Sequence, residues 1–193
     1  AGCDTTVQFV IGAPPSLDPV ITATDASCAG QCDGTASVNT TGGTGTLAYD
    51  WQPGNPMGEG TPTVTGLCAG TWSVTITDAN NCDSTLQFTI AEPLPLQVTP
   101  AQTDVTCSST CDGTATAAVT GGTGSYSYLW APAPGSGQGT NAAGGLCAGT
   151  WSLTVTDANG CSIVQNYTIL PAVPFDMVLT LGPASCPDVC DGT

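Results

Sequence analysis

The chain has 193 residues, of which 40% are hydrophobic and only 8% charged, and it contains no lysine, arginine or histidine. Its aspartates and glutamates give a net charge of −15. Because proteins neutralise phosphates with lysine and arginine, this composition excludes nucleic acid as a partner. An anionic membrane surface would also repel the chain. No apolar run reaches the roughly 18 residues that a membrane-spanning helix needs, so we expect no membrane insertion.

The predicted elements follow a repeat of 79 residues. Four cysteines and two tryptophans recur at this offset, namely Cys28, Cys32, Cys68, Cys82, Trp51 and Trp72 as Cys107, Cys111, Cys147, Cys161, Trp130 and Trp151. Cys3, Cys186 and Cys190 continue the series on either side. A fixed period of this length indicates a tandem array. We therefore divide the chain into the end of one repeat (1–15), two whole repeats (16–94 and 95–173) and the start of the next (174–193).

Each repeat is predicted to consist of short β-strands. In the second whole repeat, the pattern predicts strands at 114–120, 126–130, 150–156 and 163–169, a Gly-rich turn at 121–124, a loop at 131–145 and a hairpin turn at 157–160. No helical periodicity appears. Strands at this spacing predict an all-β fold of tandem immunoglobulin-like or PKD-like sandwiches. Prolines at the junctions (Pro93, Pro95, Pro171 and Pro174) predict short, stiff linkers and hence a rod.

All eleven cysteines are predicted to form disulfides, because small modules of an extracellular chain depend on such bonds. An all-thiolate zinc site is the alternative, but the spacing is poor for zinc and no histidine is present. Four cysteines per repeat allow three pairings. In an immunoglobulin-like sandwich, Cys32 and Cys68 would lie at the same end, which favours that pair. Cys82 would lie at the opposite end, from which we expect it to reach a neighbouring repeat.

Three motifs in each repeat are distinctive. In the first copy they are Cys-x3-Cys-Asp-Gly-Thr at 28–35, Gly-Gly-Thr-Gly before an aromatic strand that ends at Trp51, and Gly-Leu-Cys-Ala-Gly-Thr-Trp at 66–72 followed by Thr-Asp-Ala-Asn-Asn-Cys at 77–82. Together they resemble the SprB repeat of Bacteroidota surface proteins. Cys32 and Cys68 are additions to the commoner two-cysteine pattern of that family, and Trp72 stands where tyrosine is usual.

The resemblance implies a large secreted adhesin on the cell surface, exported by the type IX secretion system and serving gliding motility or surface attachment. Its partners would be neighbouring repeats of the same chain and components of the secretion or gliding machinery. We interpret the chain as a segment of the repetitive stalk. The alternatives are a subunit of a self-assembling extracellular filament and a glycan-binding β-module.

Four aspartates in repeated motifs are candidate calcium ligands: Asp33, Asp78, Asp112 and Asp157. Calcium prefers oxygen ligands, but the chain has no Asp-x-Asp-x-Asp-Gly run. We therefore favour aspartates that close turns through their own backbone, predict no cofactor, and keep calcium as the alternative. The same turn role is expected for Asp191.

Two short motifs resemble the O-glycosylation signal of Bacteroidota, with Thr5 and Ser84 as the attachment residues. The strand tryptophans are predicted to pack in the core rather than to stack on sugars. Acid–base catalysis would depend on carboxylates alone. A cysteine nucleophile would lack the basic partner that lowers its pKa. We therefore predict no catalytic residue and no enzymatic activity.

Overall fold

A computed structural model describes residues 2–107 and 109–173. The regular structure in this part of the chain is entirely β, with twelve strands and no helix that could cross a membrane. The strands of the first repeat are β1 (Asp18–Thr24), β2 (Gly34–Thr41), β3 (Ala48–Gln52), β4 (Thr63–Leu67), β5 (Gly70–Thr77) and β6 (Asp83–Ile90). Those of the second are β7 (Gln97–Thr103), β8 (Gly113–Thr120), β9 (Ser127–Ala131), β10 (Ala142–Leu146), β11 (Gly149–Thr156) and β12 (Ser162–Ile169).

Each repeat forms two three-stranded sheets. The sheet orders are β1-β2-β4 and β3-β5-β6 in the first repeat, and β7-β8-β10 and β9-β11-β12 in the second. All pairings in the first repeat are antiparallel. These orders correspond to strands A-B-E and C-F-G of the immunoglobulin fold without strand D. The predicted all-β, immunoglobulin-like fold is confirmed, whereas the rod arrangement stays a prediction.

The described residues fall into two compact units whose boundary differs from the repeat boundary. The first unit comprises 2–97, 119–126 and 156–163, and the second comprises the remaining described residues between 98 and 173. The first unit therefore contains the first sandwich together with the hairpin turn of the second repeat. The proposed start of a further repeat at 174–193, with Pro174, Cys186, Cys190 and Asp191, lies outside the described residues.

The core of the first sandwich surrounds Trp51, which is completely buried. Its ring meets Phe88 edge to face with centroids 6.1 Å apart, and its indole N–H donates to the Thr61 carbonyl at 2.9 Å. Satisfying that donor lets a large apolar ring be buried without leaving a polar group unpaired. The other buried residues alternate along both sheets, as Val74 and Ile76 do on β5.

The second sandwich repeats this arrangement around Trp130, which is 1% exposed. Its ring lies 5.2 Å from that of Tyr167, centroid to centroid, and its N–H donates to the Thr140 carbonyl at 2.9 Å. The Tyr167 hydroxyl donates to the Thr116 carbonyl at 3.0 Å, and burial raises the pKa of this phenol. Leu153 is buried on the same face of β11, as the alternation predicts.

The structure corrects the predicted loop at 131–145, because β10 begins within it and ends one residue after it. The Ala-Ala-Gly-Gly-Leu sequence of β10 has little intrinsic β-preference, and pairing with β8 determines its conformation. The sequence pattern also does not predict β1 and β7. Both contain a proline, which edge strands tolerate, and both lie at a sheet edge.

The glycine of the Cys-Asp-Gly-Thr motif is required by close packing. A Cβ on Gly34 would lie 2.9 Å from both the Leu67 carbonyl oxygen and the Ile90 Cγ2. At Gly113 the equivalent distances, to the Leu146 carbonyl oxygen and the Ile169 Cγ2, are 2.9 and 2.8 Å. Any side chain here would push β2 or β8 away from its neighbours.

The two repeats differ in one hydrogen bond beside the central tryptophan. In the second repeat, Gln138 Oε1 accepts from the Trp130 N–H at 3.1 Å, and its Nε2 donates to the Trp130 carbonyl at 3.2 Å. In the first repeat, Glu59 Oε1 accepts from the Trp51 N–H at 3.0 Å, but its buried Oε2 has no hydrogen-bond partner.

Glu59→Gln is therefore expected to stabilise the first repeat at pH 7. The new amide donor would supply the missing bond, which is worth about 1 kcal/mol. The midpoint of urea unfolding, followed by tryptophan fluorescence, should rise. Gln138→Glu is the matched control and should lower it. A neutral or destabilising Glu59→Gln would contradict this account.

Candidate functional site

Three disulfides lie in the described residues, of which two are copies of each other. Cys32 is bonded to Cys68, and Cys111 to Cys147, each at a sequence separation of 36. This is the pair that the immunoglobulin-like geometry favours. Gly34 at the start of β2 pairs with Leu67 at the end of β4, so the cysteines just outside these strands come together.

The third disulfide joins one repeat to the next. Cys28 lies between β1 and β2 of the first repeat, and Cys161 lies between β11 and β12 of the second. Their Cα atoms are 5.7 Å apart although their sequence separation is 133. Both belong to the first compact unit, and both are half-buried. We call this bond the inter-repeat disulfide.

A buried aspartate positions Cys161. Asp157 Oδ1 accepts from the backbone N–H groups of Asn159 and Cys161, each at 2.9 Å, and its Oδ2 accepts from the Thr123 N–H at 2.8 Å. Gly160 completes the turn at a φ of 85°, which glycine adopts without strain. Burial acts to raise the pKa of Asp157, but the backbone donors outweigh it and hold this pKa below its usual range.

A second aspartate holds the loop that carries Cys28. Asp33 accepts from the Ser27 N–H at 2.9 Å and also from the Ser27 hydroxyl. These bonds, the hydroxyl one first, lower the pKa of Asp33. The Ser27 carbonyl points to the turn of the second repeat: it accepts from Asn159 Nδ2 at 3.0 Å and lies 3.4 Å from Cys161 Sγ. The contact at the inter-repeat disulfide is therefore polar as well as covalent.

An open cleft of about 410 Å³ lies beside the inter-repeat disulfide, within the first compact unit. Its walls include both bonded cysteines and the Pro93, Leu94 and Pro95 linker. No charged side chain is among the residues that line it. This lining gives no chemical indication of a ligand.

The four candidate calcium ligands are all engaged in turns. Asp78 repeats the bonds of Asp157, and Asp112 repeats those of Asp33. The Cys82 N–H is the main cause of the lowered pKa of Asp78, and the Thr106 hydroxyl is the main cause for Asp112. Among the described residues, no three acidic or thiol groups converge on a point that would hold a metal ion.

The prediction that every cysteine is bonded requires correction. Cys3, Cys82 and Cys107 are free and exposed in the described structure. The physical reason lies in the inter-repeat disulfide, which pairs a loop cysteine with the turn cysteine of a different repeat. If loop and turn cysteines of successive repeats pair in this way, the partners of Cys82 and Cys107 do not lie in either described sandwich.

The remaining predicted residues have contrasting environments. Thr5 is exposed, whereas Ser84 is half-buried on β6 opposite Ile76, and attachment of a glycan to either stays a prediction. Trp51 and Trp130 are buried, so neither presents a face to a sugar.

Loss of one disulfide should destabilise a repeat more than loss of divalent cations does. Cys32→Ser with Cys68→Ser is expected to cost about 2–4 kcal/mol, because the unfolded chain regains the freedom of the open loop. Chelation by EDTA should leave the melting temperature unchanged, since the aspartate oxygens are occupied by backbone donors. Cys111→Ser with Cys147→Ser is the matched pair. A melting temperature that responds to EDTA alone would restore the calcium hypothesis.

Stability should fall in acid. The pKa values of Asp33, Asp78, Asp112 and Asp157 are lowered by folding, so the unfolded chain binds protons first as the pH drops. Their contribution is complete above the usual aspartate pKa of about 3.9 and is lost as the pH falls through the lowered values. Urea midpoints between pH 6 and pH 2 would measure this. Asp78→Asn with Asp157→Asn should flatten the profile, and an unchanged profile would contradict the assignment.

Comparison with solved structures finds other multidomain β-proteins at low identity. The chain is 12% identical to a C-terminal 282-residue fragment of intimin in complex with the intimin-binding domain of its translocated receptor, with a TM-score of 0.42. The aligned part covers 82% of this chain and 64% of that fragment, slightly less than two thirds. Domains 4 and 5 of the S-layer protein SbsC are 13% identical over 82% of this chain and 100% of theirs, with a TM-score of 0.34. The DIP-gamma IG1+IG2 structure is 12% identical over 81% and 99%, also at 0.34. These similarities are too weak to transfer a function.

No curated protein matches the chain. The family model of the SprB repeat, in contrast, matches residues 20–56 and 99–135. The two matches are offset by the same 79 residues as the cysteines, and each runs from the first strand of a sandwich past the strand of its central tryptophan. Each of the two sandwiches thus contains a segment that matches the SprB repeat, as the sequence motifs predict.

Proposed function

We propose that this chain is a stalk segment of a large secreted cell-surface adhesin, and that its repeats transmit tension between the cell and a distant adhesive region. The inter-repeat disulfide is the observation that carries the proposal. A stalk must resist extension, and this bond lies where extension would separate the two cysteines.

Tension applied to the two ends of the chain would pass from β1 through the inter-repeat disulfide to β12 and would bypass the chain between the two cysteines. The bond closes a loop with a sequence separation of 133. Strands β2 to β11 all lie between Cys28 and Cys161 and are therefore bypassed. Hydrogen-bonded strands open at much lower cost than a covalent bond, so the disulfide protects these bypassed strands from extension under load, while β1 and β12 still carry the tension.

The disulfides also support a location outside the cytosol. Such bonds persist in oxidising compartments and are rare where thiols are kept reduced. The match to the SprB repeat agrees with a surface protein. Export by type IX secretion, a Bacteroidota source, a role in gliding or surface attachment, and contact with the secretion or gliding machinery are the finer parts of this proposal.

The same reasoning gives the chain a structural role without catalysis or a cofactor. Its acidic motif residues are used to close turns, and its central tryptophans fill the two cores. A glycan-binding module would need exposed aromatic faces, which Trp51 and Trp130 do not provide.

Single-molecule pulling from the two ends tests the transmission of tension. With free thiols alkylated, the bypassed 133 residues should not contribute to the extended length of the oxidised chain. Reduction should then release about 450 Å of extra length, at about 3.4 Å per residue.

Cys28→Ser with Cys161→Ser is the matched control. Because the two loops of separation 36 stay closed, this variant should release only about 200 Å of that length without reductant and the rest after reduction. Full extension of the oxidised parent chain would overturn the proposal.

A further inference from the structure

We propose that the outer edge of β9 is a latent pairing surface for the β9 edge of a second copy of the chain, and that Gln138 keeps this surface closed. The closing group is the side-chain amide of Gln138, which binds the backbone of Trp130 as a neighbouring strand would. The inference concerns only the second sandwich and does not depend on the cell-surface role.

The edge of β9 has backbone groups that a further strand could bind. In the described structure β9 is the last strand of the sheet β12-β11-β9. The backbone groups of a strand alternate between its two sides. The Trp130 N–H and carbonyl both bind Gln138, so they point away from β11, and the groups of Tyr128, two residues earlier, point to the same side. Such an edge is a template for pairing with another chain.

Gln138 reproduces the hydrogen bonds of a paired strand. Its Oε1 accepts from the Trp130 N–H at 3.1 Å, and its Nε2 donates to the Trp130 carbonyl at 3.2 Å. The loop that carries Gln138 is anchored separately, because the Trp130 indole N–H donates to the Thr140 carbonyl at 2.9 Å and Ser136 pairs with Gly144 of β10. Loss of the amide would therefore open the edge without releasing the loop.

The first repeat closes the equivalent edge of β3 in a different way. Glu59 Oε1 accepts from the Trp51 N–H at 3.0 Å, but a carboxylate only accepts hydrogen bonds, so it gives none to the Trp51 carbonyl. This edge carries Asp50 instead, and a charged side chain on an edge strand discourages pairing. In β9 the position of Asp50 is taken by Leu129, which is 60% exposed.

Charge distinguishes the two sandwiches as a whole. The second repeat (95–173) has three acidic residues against eight in the first (16–94). Each of the three, Asp104, Asp112 and Asp157, accepts a backbone N–H group. Strands β7 to β12 contain no charged residue. On a chain with a net charge of −15, the strands of the second sandwich are thus where repulsion between copies is weakest, which favours another β9 edge as the occupant.

The exposed groups also determine the register. In an antiparallel pair, Trp130 of each copy would face Tyr128 of the other and exchange both hydrogen bonds with it. Leu129 would then face Leu129 at the two-fold axis, and the contact would close at a dimer. In the first repeat the same register would place Asp50 against Asp50, and like charges directly opposite each other are destabilising.

The test measures self-association of the whole chain with its free thiols alkylated, in about 0.15 M salt to screen the net repulsion. The parent chain should sediment with the monomer mass of 19.1 kDa. Gln138→Ala should shift the weight-average mass towards twice this value at about 1 mM, a concentration at which weak complexes form. Adding Leu129→Asp, which gives β9 the residue that β3 carries, should return Gln138→Ala to the monomer mass.

The first repeat provides the matched controls. Glu59→Ala removes the group that binds Trp51 but leaves Asp50 on the edge, so this variant should stay a monomer. Glu59→Ala with Asp50→Leu removes both obstacles and should associate as Gln138→Ala does. This double variant also tests edge pairing if Gln138→Ala does not fold.

Amide hydrogen exchange of the parent chain tests the role of Gln138 without any variant. The Trp130 N–H should exchange about tenfold or more slowly than the Tyr128 N–H, because Gln138 protects only the first. The proposal is overturned by a folded Gln138→Ala that stays a monomer, by association that persists after Leu129→Asp, or by association of Glu59→Ala alone. Equal exchange of the Trp130 and Tyr128 amides would also overturn it.

Discussion

Three backbone N–H groups converge on the carboxylate of each turn aspartate, Asp78 and Asp157, and the position of the turn cysteine follows from that convergence. Asp157 is buried, and its backbone donors come from two separate segments, the hairpin turn and the Gly-rich turn. A cysteine on an ordinary flexible turn would sample many positions. Here the bond from the Cys161 N–H to Asp157 holds the backbone of the cysteine at the end of the sandwich, where Cys161 meets Cys28 at a sequence separation of 133.

The small core of each repeat and its aspartate turns explain the many cysteines and aspartates in the composition. A sandwich of six short strands buries a small core around one tryptophan, and such a core supplies limited stability. Two kinds of disulfide supplement it. The bond between Cys32 and Cys68 joins the start of β2 to the end of the neighbouring strand β4 within a repeat, whereas the inter-repeat disulfide joins one repeat to the next. The charged residue that closes each turn is an aspartate, and these aspartates contribute part of the negative charge of the chain.

The sequence predicts the period, the fold class and most strands, because those depend on local patterns that recur twice. The strand 150–156 and its buried Leu153 and Val155 follow from simple alternation. β10 could not be predicted in this way, since its Ala and Gly residues become a strand only when β8 is beside them. The partner of Cys161 could not be predicted either. A turn cysteine at the far end of a sandwich points to another repeat, but which loop it meets depends on the packing of that repeat's turn against Ser27.

The long disulfide loop has a consequence for a protein exposed to extracellular proteases. A cut in the exposed segment between β3 and β4 would separate Cys28 and Cys32 from Cys68 and Cys161 in the backbone, yet both disulfides would still hold the fragments together. Enzymes of trypsin specificity have no lysine or arginine to cleave after. A single cleavage between the bonded cysteines would therefore leave a continuous covalent path from one end of the molecule to the other. The two fragments would stay joined after the cut.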